Sequence, residues 1–550
     1  MIEYRTDTGT AVFRTVHYQC CAESLSSLGF QPLGIHLSIC QQSLNHLPGW
    51  WFAAAHQQTV LFPKPERTDT VLTEKALRFL NDRSAAIRTF SDSILTMGKD
   101  LISINDDMKL RRFFEFECNG FPKKKIIIII DHMGTYIPYD ICKAFRTVHL
   151  CYDTVFPNLN SNVLAKLPGL DFDHLALVSD QVAFAKMNEK ETYHLCTEVL
   201  YTAKWATPYG NKLMDIAVSS AQSVVSHKDW TCIAKAYGKA ACFQHAGIPL
   251  ASFEEKRKLI EDSFVEWIEK KYALLSGTVD KDRPVLLSKV NSFIKRGNDK
   301  IALILMDGMS FENFYTIQRS LICEKFTYQI ESSFSFFPTV TSVARQSVFS
   351  GKLPMEHTKP FSLDNEEKQW IEYWIEQGYK KHEIGFYKTE TPEISSQIKV
   401  AGIIINICDD LMHDELQGML GLQQGLENWT KNLHLVHLLD FLYKEGFAVF
   451  MTADHGNTSA VAEGRFQKPG VLAEPASRRA VIYQSFTDAI ELDKFTTERY
   501  SGTYLPKGYT AYLFDQGTSY GERGKEYITH GGMTLEEAVV PFIKIGEYNG

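Results

Sequence analysis

The chain has 550 residues, which is too long for a single hydrophobic core. Its length suggests roughly three or four structural units. Hydrophobic residues make up 44% of the chain and charged residues 23%, as is typical of a soluble globular protein. The formal net charge of −8 argues against a generally basic nucleic-acid-binding protein, although it leaves room for a local basic groove.

Neither a membrane segment nor a disulfide framework is expected from the sequence. The longest purely aliphatic run, Ile126–Ile130, is far too short to cross a bilayer. The first residues, MIEYRTDTGT, lack the basic and apolar regions of a signal peptide. The 11 cysteines are scattered without any Cys-x-x-Cys pair, which favours reduced thiols. We therefore expect a cytoplasmic protein without membrane contacts.

The N-terminal half carries few chemical signals. Its isoleucine run at 126–130 follows Lys123–Lys125, which predicts a buried parallel strand behind charged edge residues. A basic nucleic-acid patch is the alternative interpretation of the three lysines. A second strand is expected at 175–178, and helices from about 181 to 275. The stretch SGTVDKDRP at 276–284 combines Gly, Asp, charge and Pro, and predicts a linker.

Strands and helices alternate after this linker. Apolar segments predict strands at 301–306, 402–407, 447–452, 480–483 and 539–545. This alternation is typical of a doubly wound, mostly parallel sheet with helices on both faces, which binds ligands outside the carboxyl ends of its strands. The predicted fold class is therefore α/β. The predicted units are an N-terminal α/β domain (1–180), a helical region with the linker (181–284) and a C-terminal domain (285–550).

Candidate metal ligands follow three of the predicted strands. Asp307 comes directly after the strand at 301–306, and Asp454 and His455 come after the strand at 447–452. The strand at 402–407 leads to Asp409, with His413 four residues further on, so that a helix would bring both side chains to one face. Their neighbours Asp410 and Glu415 are alternatives to Asp409, and Asp410 is the closer competitor. Carboxylates and imidazoles at one sheet edge are ligands for a two-metal phosphoryl-transfer site.

Two further segments complete the candidate site. Thr341 is expected to begin a helix, whose N-terminus favours a phosphate, and a metal would activate the threonine hydroxyl as a nucleophile. Arg345 lies one turn further on and could clamp a phosphate oxygen or hold the nucleophile. His530 precedes two glycines that let the backbone approach a metal, and Thr534 with Glu537 predicts a capping box.

Each of these motifs also has a structural interpretation when it is taken alone. Asp-His dipeptides occur at 131–132 and 173–174 as well, and a lone threonine at a helix start is usually an N-cap. A lone histidine is usually structural, and the Asp409–His413 segment could be an ordinary polar helix face. The functional hypothesis therefore depends on the joint order of the motifs.

The ordered motifs ILMDGM, PTVTSVAR, CDDLMH, MTADHG and THGGM resemble the alkaline phosphatase superfamily and, within it, the PglZ domain. The resemblance covers about 285–550. The segment PTVTSVARQSVFSGKLP (338–354) is similar to the nucleophile segment of the superfamily's phosphodiesterase branch. The ending HGGMTLEEAVVPF (530–542) is similar to the closing motif of PglZ proteins and cofactor-independent phosphoglycerate mutases.

The resemblance implies a ligand set and a function. One divalent ion would be held by Asp409, His413 and His530, and the other by Asp307, Asp454 and His455. Thr341 would be the nucleophile, with zinc or manganese as the metal. PglZ proteins are best known from BREX bacteriophage-defence loci, which implies an antiviral phosphodiesterase or nuclease acting on a phosphodiester or nucleic acid. Other defence proteins would then bind the N-terminal half. The alternatives are a phosphomonoesterase or phosphotransferase acting on a small molecule or a phosphoprotein, and a non-catalytic scaffold.

The chain departs from the neighbouring families at named positions. The phosphodiesterase branch often has Asn where this chain has Ala344, so that contact with a phosphate oxygen is missing. Arg345 has the spacing seen in sulfatases, but Thr341 and Val343 replace their Cys or Ser and Pro. Only about 65 residues separate Thr341 from Asp409, which leaves little room for the inserted domain of the mutases.

Overall fold

The computed structural model describes residues 4–6, 9–11, 58–63, 101–104, 107–117, 127–130, 138–150, 156–182, 185–414, 417–465, 477–484, 494–500 and 502–547. These residues belong to two compact units. The first consists of residues 1–165 and 171–195, and the second of residues 166–170 and 196–550. Lys123–Lys125 and the Asp-His pair at 131–132 lie outside the described residues.

The first unit contains a four-stranded sheet of order β4-β5-β3-β6 and a separate pair, β1-β2. Its strands are β1 (Tyr4–Thr6), β2 (Gly9–Ala11), β3 (Gln58–Pro63), β4 (Leu101–Ile104), β5 (Ile127–Ile130) and β6 (Phe145–Leu150). Its helices are Asp107–Arg112, Tyr139–Ala144, Ser161–Ala165, Phe172–Val182 and Glu189–Thr197, with a π-helical turn at Phe113–Glu117. The strand predicted in the isoleucine run is confirmed as β5, which pairs parallel with β4 and antiparallel with β3.

The strand predicted at 175–178 is wrong. These residues belong to the helix Phe172–Val182. Phe172, Leu175 and Val178 are all buried, and their spacing of three residues is that of one helix face rather than of a strand. The short apolar run LALV at 175–178 therefore belongs to a helix with one buried face and not to a buried strand.

The second unit begins with a layer of helices, which confirms the helices expected between 181 and 275. Its helices are Ala203–Ala221, His227–His245 and Phe253–Lys271, with 3₁₀ turns at Val199–Tyr201 and Tyr272–Gly277. Thirteen residues of His227–His245 are buried, so this helix is the centre of the layer. It crosses the helix Phe311–Ser320 at Gly238, where an added Cβ would lie 2.6 Å from the Cβ of Phe311. Only glycine permits that approach.

The stretch at 276–284, interpreted above as a linker, packs tightly within the second unit. Asp280 and Arg283 are both buried. Asp280 Oδ2 lies 3.1 Å from His227 Nε2 and 3.1 Å from Lys228 Nζ, and Arg283 Nη2 lies 2.7 Å from Glu331 Oε2. The charged side chains of Asp280 and Arg283 are therefore not exposed to solvent, because they pair with residues of the helical layer and of the sheet. The helical layer and residues 285–550 belong to the same compact unit.

The remaining elements of the second unit follow in chain order. The strands are β7 (Ile301–Met306), β8 (Phe326–Phe334), β9 (Ile384–Tyr387), β10 (Val400–Ile405), β11 (Ala448–Thr452), β12 (Thr458–Ala462), β13 (Ala480–Tyr483), β14 (Thr497–Tyr500), β15 (Thr510–Phe514), β16 (Thr518–Ser519), β17 (Glu526–Thr529) and β18 (Val539–Glu547). The helices are Val290–Ile294, Phe311–Ser320, Thr341–Ser350, Glu366–Glu376, Ile407–Asp414, Gly418–Thr430, His434–Lys444 and Leu535–Ala538. Short 3₁₀ turns occur at Leu287–Lys289, Pro354–Glu356 and Lys381–Glu383.

The core of this unit is a six-stranded sheet of order β8-β18-β11-β7-β10-β9. β9, β10, β7 and β11 pair in parallel, and β18 runs antiparallel to both of its neighbours. This mostly parallel sheet confirms the predicted α/β class and four of the predicted strands. The fifth, β13, forms but belongs to a separate sheet of order β13-β15-β14. Within the described residues, no helix has both the length and the hydropathy needed to cross a membrane.

Candidate active site

The carboxyl ends of three parallel strands meet at one edge of the sheet. β7 aligns Met306 with Ile405 of β10 and Leu305 with Thr452 of β11. The residues that follow each strand therefore emerge at the same level. The backbone N–H of Gly308 donates to Asp454 Oδ1 at 3.1 Å, which joins the turns after β7 and β11. Gly308 has φ of +73°, a conformation that suits glycine.

Asp307, Asp454 and His455 converge at this edge. One ligand atom of each lies within 4.8 Å of the other two, and all three residues are buried. His455 Nε2 is 3.8 Å from Asp307 Oδ1 and 3.7 Å from Asp454 Oδ2. No N–H group or hydroxyl of the described residues donates to Asp307 Oδ1 or Asp454 Oδ2. Two buried carboxylate oxygens and one imidazole nitrogen thus face a common point.

The hydrogen bonding of His455 favours the form that binds a cation. Its Nδ1 lies 2.9 Å from the carbonyl oxygen of Gly456, and because a carbonyl only accepts, Nδ1 carries the proton. Nε2 is then the unprotonated nitrogen and faces the two carboxylates. Burial lowers the pKa of His455, which keeps the ring neutral near pH 7. A backbone carbonyl that fixes the tautomer in this way is common at metal-ligating histidines.

The two carboxyl groups do not ionise independently. Burial, and then the charge of Asp307, raise the pKa of Asp454 well above its usual range. Burial alone would raise the pKa of Asp307 too, but the charge of Arg345 holds it below its ordinary value. Without a cation, a proton on Asp454 would therefore relieve its repulsion with Asp307. A divalent ion would displace that proton, since it supplies the positive charge that the pair lacks.

Thr341 brings a hydroxyl to the same cluster. It is the first residue of the helix Thr341–Ser350, as expected, and its Oγ1 lies 2.9 Å from His455 Nε2. Because Nε2 is unprotonated, the hydroxyl donates this bond. The N-cap position of the helix belongs to Val340, and no side chain caps the helix there. The alternative interpretation of Thr341 as an N-cap is therefore wrong.

Arg345 reaches the cluster from the same helix, but carboxylates already occupy both edges of its guanidinium. Nη1 donates to Asp307 Oδ2 at 2.5 Å, while Nε and Nη2 donate to Glu366 at 2.7 and 2.9 Å. The observed contacts make Arg345 a partner of Asp307 rather than a solvent-facing phosphate clamp. Sequence reasoning missed Glu366, since nothing in the local sequence NEEKQW distinguishes it from its acidic neighbour.

The second predicted ligand set is only partly described. Asp409 lies in the first turn of the helix Ile407–Asp414 and is half-buried, whereas Asp410 is exposed. His413 lies on the same helix, but its side chain and all of Glu415 fall outside the described residues. The imidazole of His530 stacks on His455, with ring centroids 3.9 Å apart and planes tilted by 12°. Within the described part of the chain, only the Asp307, Asp454 and His455 group forms a compact ligand cluster.

Backbone and side-chain bonds hold His530 beside the nucleophile segment. Its Nδ1 donates to the Thr339 carbonyl at 2.8 Å, and Thr339 Oγ1 in turn donates to the Gly532 carbonyl at 2.8 Å. The predicted capping box is confirmed, because Thr534 Oγ1 and the Thr534 N–H both bond Glu537. Thr339 was not singled out from the sequence, although it lies two residues before Thr341 in the quoted motif.

Residues of the helical layer reach the same loops, and sequence reasoning missed them as well. Arg257 Nη2 donates to Thr458 Oγ1 at 2.7 Å and to Glu536 Oε2 at 2.9 Å. Tyr237 also donates to Glu536, and both oxygens of Glu261 accept from the Leu535 N–H. These contacts fix the chain after His455 and the turn after His530. On an amphipathic helix such charges look like ordinary surface residues, so no sequence signal marked them.

Residues 285–545 match the family model of the BREX system PglZ alkaline phosphatase-like domain. This part of the chain is a PglZ domain. It covers just under half of the chain, and the helical layer that packs against it lies outside the matched residues. No curated protein matches the chain.

Several solved structures share a distant likeness with the chain. An inactive variant of murine ectonucleotide pyrophosphatase/phosphodiesterase 5 in complex with AMP is 13% identical, with a TM-score of 0.34 over 45% of this chain and 88% of that chain. The human ectonucleotide pyrophosphatase/phosphodiesterase 5 is 14% identical, with a TM-score of 0.33 over 44% of this chain and 87% of that chain. Phosphonoacetate hydrolase from Sinorhizobium meliloti 1021, in complex with phosphonoformate, is 12% identical, with a TM-score of 0.32 over 44% of this chain and 89% of that chain.

Proposed function

We propose that the PglZ domain is a metal-dependent phosphoryl hydrolase that uses Thr341 as its nucleophile and prefers phosphodiesters. The observation that carries this proposal is the meeting of three elements at one sheet edge. The buried cluster of Asp307, Asp454 and His455 follows two parallel strands, and the Thr341 hydroxyl lies 2.9 Å from His455 Nε2. Carboxylates, a neutral imidazole and a hydroxyl are the groups that such a reaction needs.

The residues present fit a divalent cation. Two ligand atoms about 2.1 Å from a tetrahedral ion lie about 3.4 Å apart. His455 Nε2 is 2.9 Å from Thr341 Oγ1, 3.7 Å from Asp454 Oδ2 and 3.8 Å from Asp307 Oδ1, and these distances bracket that value. Oxygen and nitrogen donors without a thiolate favour zinc or manganese. We further propose a second ion held by Asp409, His413 and His530.

Each residue then has a chemical role. A bound ion would lower the pKa of the Thr341 hydroxyl and neutralise charge on the phosphoryl group. Thr341 Oγ1 loses its proton to solvent and forms the new bond to phosphorus as the ester oxygen leaves and takes up a proton from water, and a water molecule later cleaves the threonyl phosphate. The backbone bonds of His455 and His530 keep both rings in fixed orientations throughout. His455 is fully buried and Thr341 nearly so, which limits the contact of the attacking oxygen with bulk water.

The charge balance of the site favours a singly charged substrate. A monoester dianion usually requires cationic contacts beyond the metals. Arg345 is the cation nearest to Thr341 on its helix, and Asp307 and Glu366 already neutralise it. A phosphodiester carries one negative charge and needs less compensation. We propose a nucleic-acid or nucleotide diester as the substrate, in a cytoplasmic phage-defence setting where partner proteins bind the N-terminal half.

The test compares two model substrates and two neighbouring hydroxyls. The full-length protein is assayed with bis-p-nitrophenyl phosphate and p-nitrophenyl phosphate, with zinc or manganese added. Diester cleavage should exceed monoester cleavage. Thr341→Ala should lower the rate by about 10³-fold or more. Ser342→Ala, which removes a buried hydroxyl at the adjacent position, should stay near wild type.

The possible outcomes separate the competing functions. A tenfold preference for the monoester, without cleavage of oligonucleotides, would support a phosphomonoesterase instead. Turnover of Thr341→Ala at the wild-type rate would assign the attack to water or to another residue. A wild-type protein that binds zinc or manganese but cleaves neither ester would support the non-catalytic scaffold.

A further inference from the structure

Glu366 is a buried acidic residue that contacts Arg345, the partner of Asp307. Its side chain has no exposed surface, and it receives two bonds from Arg345 along one edge of the guanidinium. The third bond of the guanidinium goes to Asp307 Oδ2. Glu366, Arg345 and Asp307 are therefore joined by a series of hydrogen bonds, in which Glu366 orients Arg345 and Arg345 contacts a candidate metal ligand.

The hydrogen bonds among Glu366, Arg345 and Asp307 determine which oxygen of Asp307 faces the cluster. Arg345 engages Oδ2, while Oδ1 is the oxygen that lies 3.8 Å from His455 Nε2. A guanidinium is planar and donates in fixed directions, so two bonds to Glu366 define the plane in which Arg345 can approach. Without them Arg345 could rotate and engage both oxygens of Asp307, in competition with a cation.

We propose that Glu366 is a positioning residue of the metal site, an inference that rests on the proposed function. It holds Arg345 on Asp307 Oδ2 and so reserves Oδ1 for the ion. It also supplies negative charge to a guanidinium that would otherwise repel the ion from close range. Glu366 contributes no atom to the ion itself, since its two oxygens are bonded by Arg345 and Lys388.

If Glu366 served only to stabilise the fold, a different experimental result would be expected. A buried ion pair that serves only the fold changes stability when one partner is lost, without any effect on a ligand. The distinguishing quantity is the affinity of the folded protein for a divalent ion. It can be measured on metal-free full-length protein by competition with a fluorescent zinc chelator, at a temperature where far-ultraviolet circular dichroism reports native helix content.

Glu366→Gln should weaken zinc binding about 10- to 100-fold, the usual effect of losing a residue that orients a metal ligand. Glu312→Gln is the matched control, because Glu312 is also a buried carboxylate and is paired with the side chain of His245. Its zinc affinity should equal that of wild type. Glu366→Asp keeps the charge but shortens the side chain, so its affinity should lie between those of wild type and Glu366→Gln.

A double-mutant cycle tests whether Glu366 acts through Arg345. In an Arg345→Met background there is no guanidinium to orient, so adding Glu366→Gln should change the zinc affinity less than about twofold. An unchanged affinity in folded Glu366→Gln, or in Glu366→Asp if the glutamine variant does not fold, would overturn the inference. An equal loss in both backgrounds would overturn it too. If wild type binds no divalent ion, the proposed function itself fails, which is a separate result.

Discussion

Glu261 links the helical layer to the turn that follows His530, and its ionisation should control part of the protein's stability. The residue is buried, and both of its oxygens accept from the Leu535 N–H, at 3.1 and 3.0 Å. Burial, and then the charge of Glu536, raise its pKa to about 8, although Arg257 and the Leu535 N–H oppose the shift. We therefore expect Glu261 to hold its proton in the folded protein near pH 7.

The sign and size of the effect follow from proton linkage. An unfolded glutamate titrates at about 4.3, so between about pH 4.3 and the folded value of about 8 the folded state binds more protons than the unfolded state. The stabilisation is fully present below the unfolded pKa and is lost as pH rises through the folded pKa. For one group the slope is at most about 1.4 kcal/mol per pH unit.

Glu261→Gln should remove this dependence, because an amide resembles the protonated acid and does not titrate. Urea unfolding of wild type and variant at pH 5, 6.5 and 8 measures the difference. The free energy of unfolding of wild type should fall relative to the variant as pH rises. Glu255→Gln, at an exposed position of the same helix, should follow wild type at every pH. Parallel curves for wild type and Glu261→Gln would refute the buried, protonated assignment.

Three further outcomes are expected. Asp454→Asn should abolish zinc binding at the Asp307 cluster in equilibrium dialysis. Asp131→Asn, in the similar Asp-His pair of the N-terminal half, should leave zinc binding intact. An equal loss of zinc in both variants would show that the metal site is assigned to the wrong Asp-His pair. Arg257→Met should lower the free energy of unfolding by roughly 3–5 kcal/mol, since it removes the cationic partner of Glu536, whose side chain is only 11% exposed, and a loss below about 1 kcal/mol in urea titration would contradict that reasoning. Binding of a fluorescent oligonucleotide should weaken steeply between 50 and about 200 mM salt in anisotropy measurements, because phosphate contacts release counterions; salt-independent binding would argue against phosphate recognition.

The strand-end residues could be predicted because a buried parallel strand is marked by the sequence itself. ILMDGM places Asp307 directly after an apolar run, MTADHG places Asp454 two residues after the end of its strand, and parallel pairing brings such ends together. The observed cluster of Asp307, Asp454 and His455 follows from that pattern. The pairing of the second ligand set stays a prediction, since the side chain of His413 is not described.

The supporting residues could not be predicted, since their partners are distant in sequence. Glu366 meets Arg345 across 21 positions, and Arg257 meets Glu536 across 279. Local sequence reports periodicity and turn chemistry but not which buried charges will pair. The same limit explains the interpretation of 276–284 as a linker, because Asp280 and Arg283 look solvent-exposed until their partners are known.

The arrangement around Asp307 and Asp454 lowers the stability of the folded protein, so it has no benefit if these residues serve the fold alone. Two buried carboxyl groups and an uncharged imidazole face one another, and burial together with the charge of Asp307 raises the pKa of Asp454. Apolar residues of similar size would pack there at lower cost. Arg345 relieves part of the charge, yet within the cluster it bonds Asp307 Oδ2 and not Oδ1, the oxygen that lies 3.8 Å from His455 Nε2. A divalent ion would relieve the remainder, because it would supply two positive charges at the point where all three side chains converge. The energetic penalty of this geometry therefore supports the proposed cation site by an argument that does not depend on family resemblance.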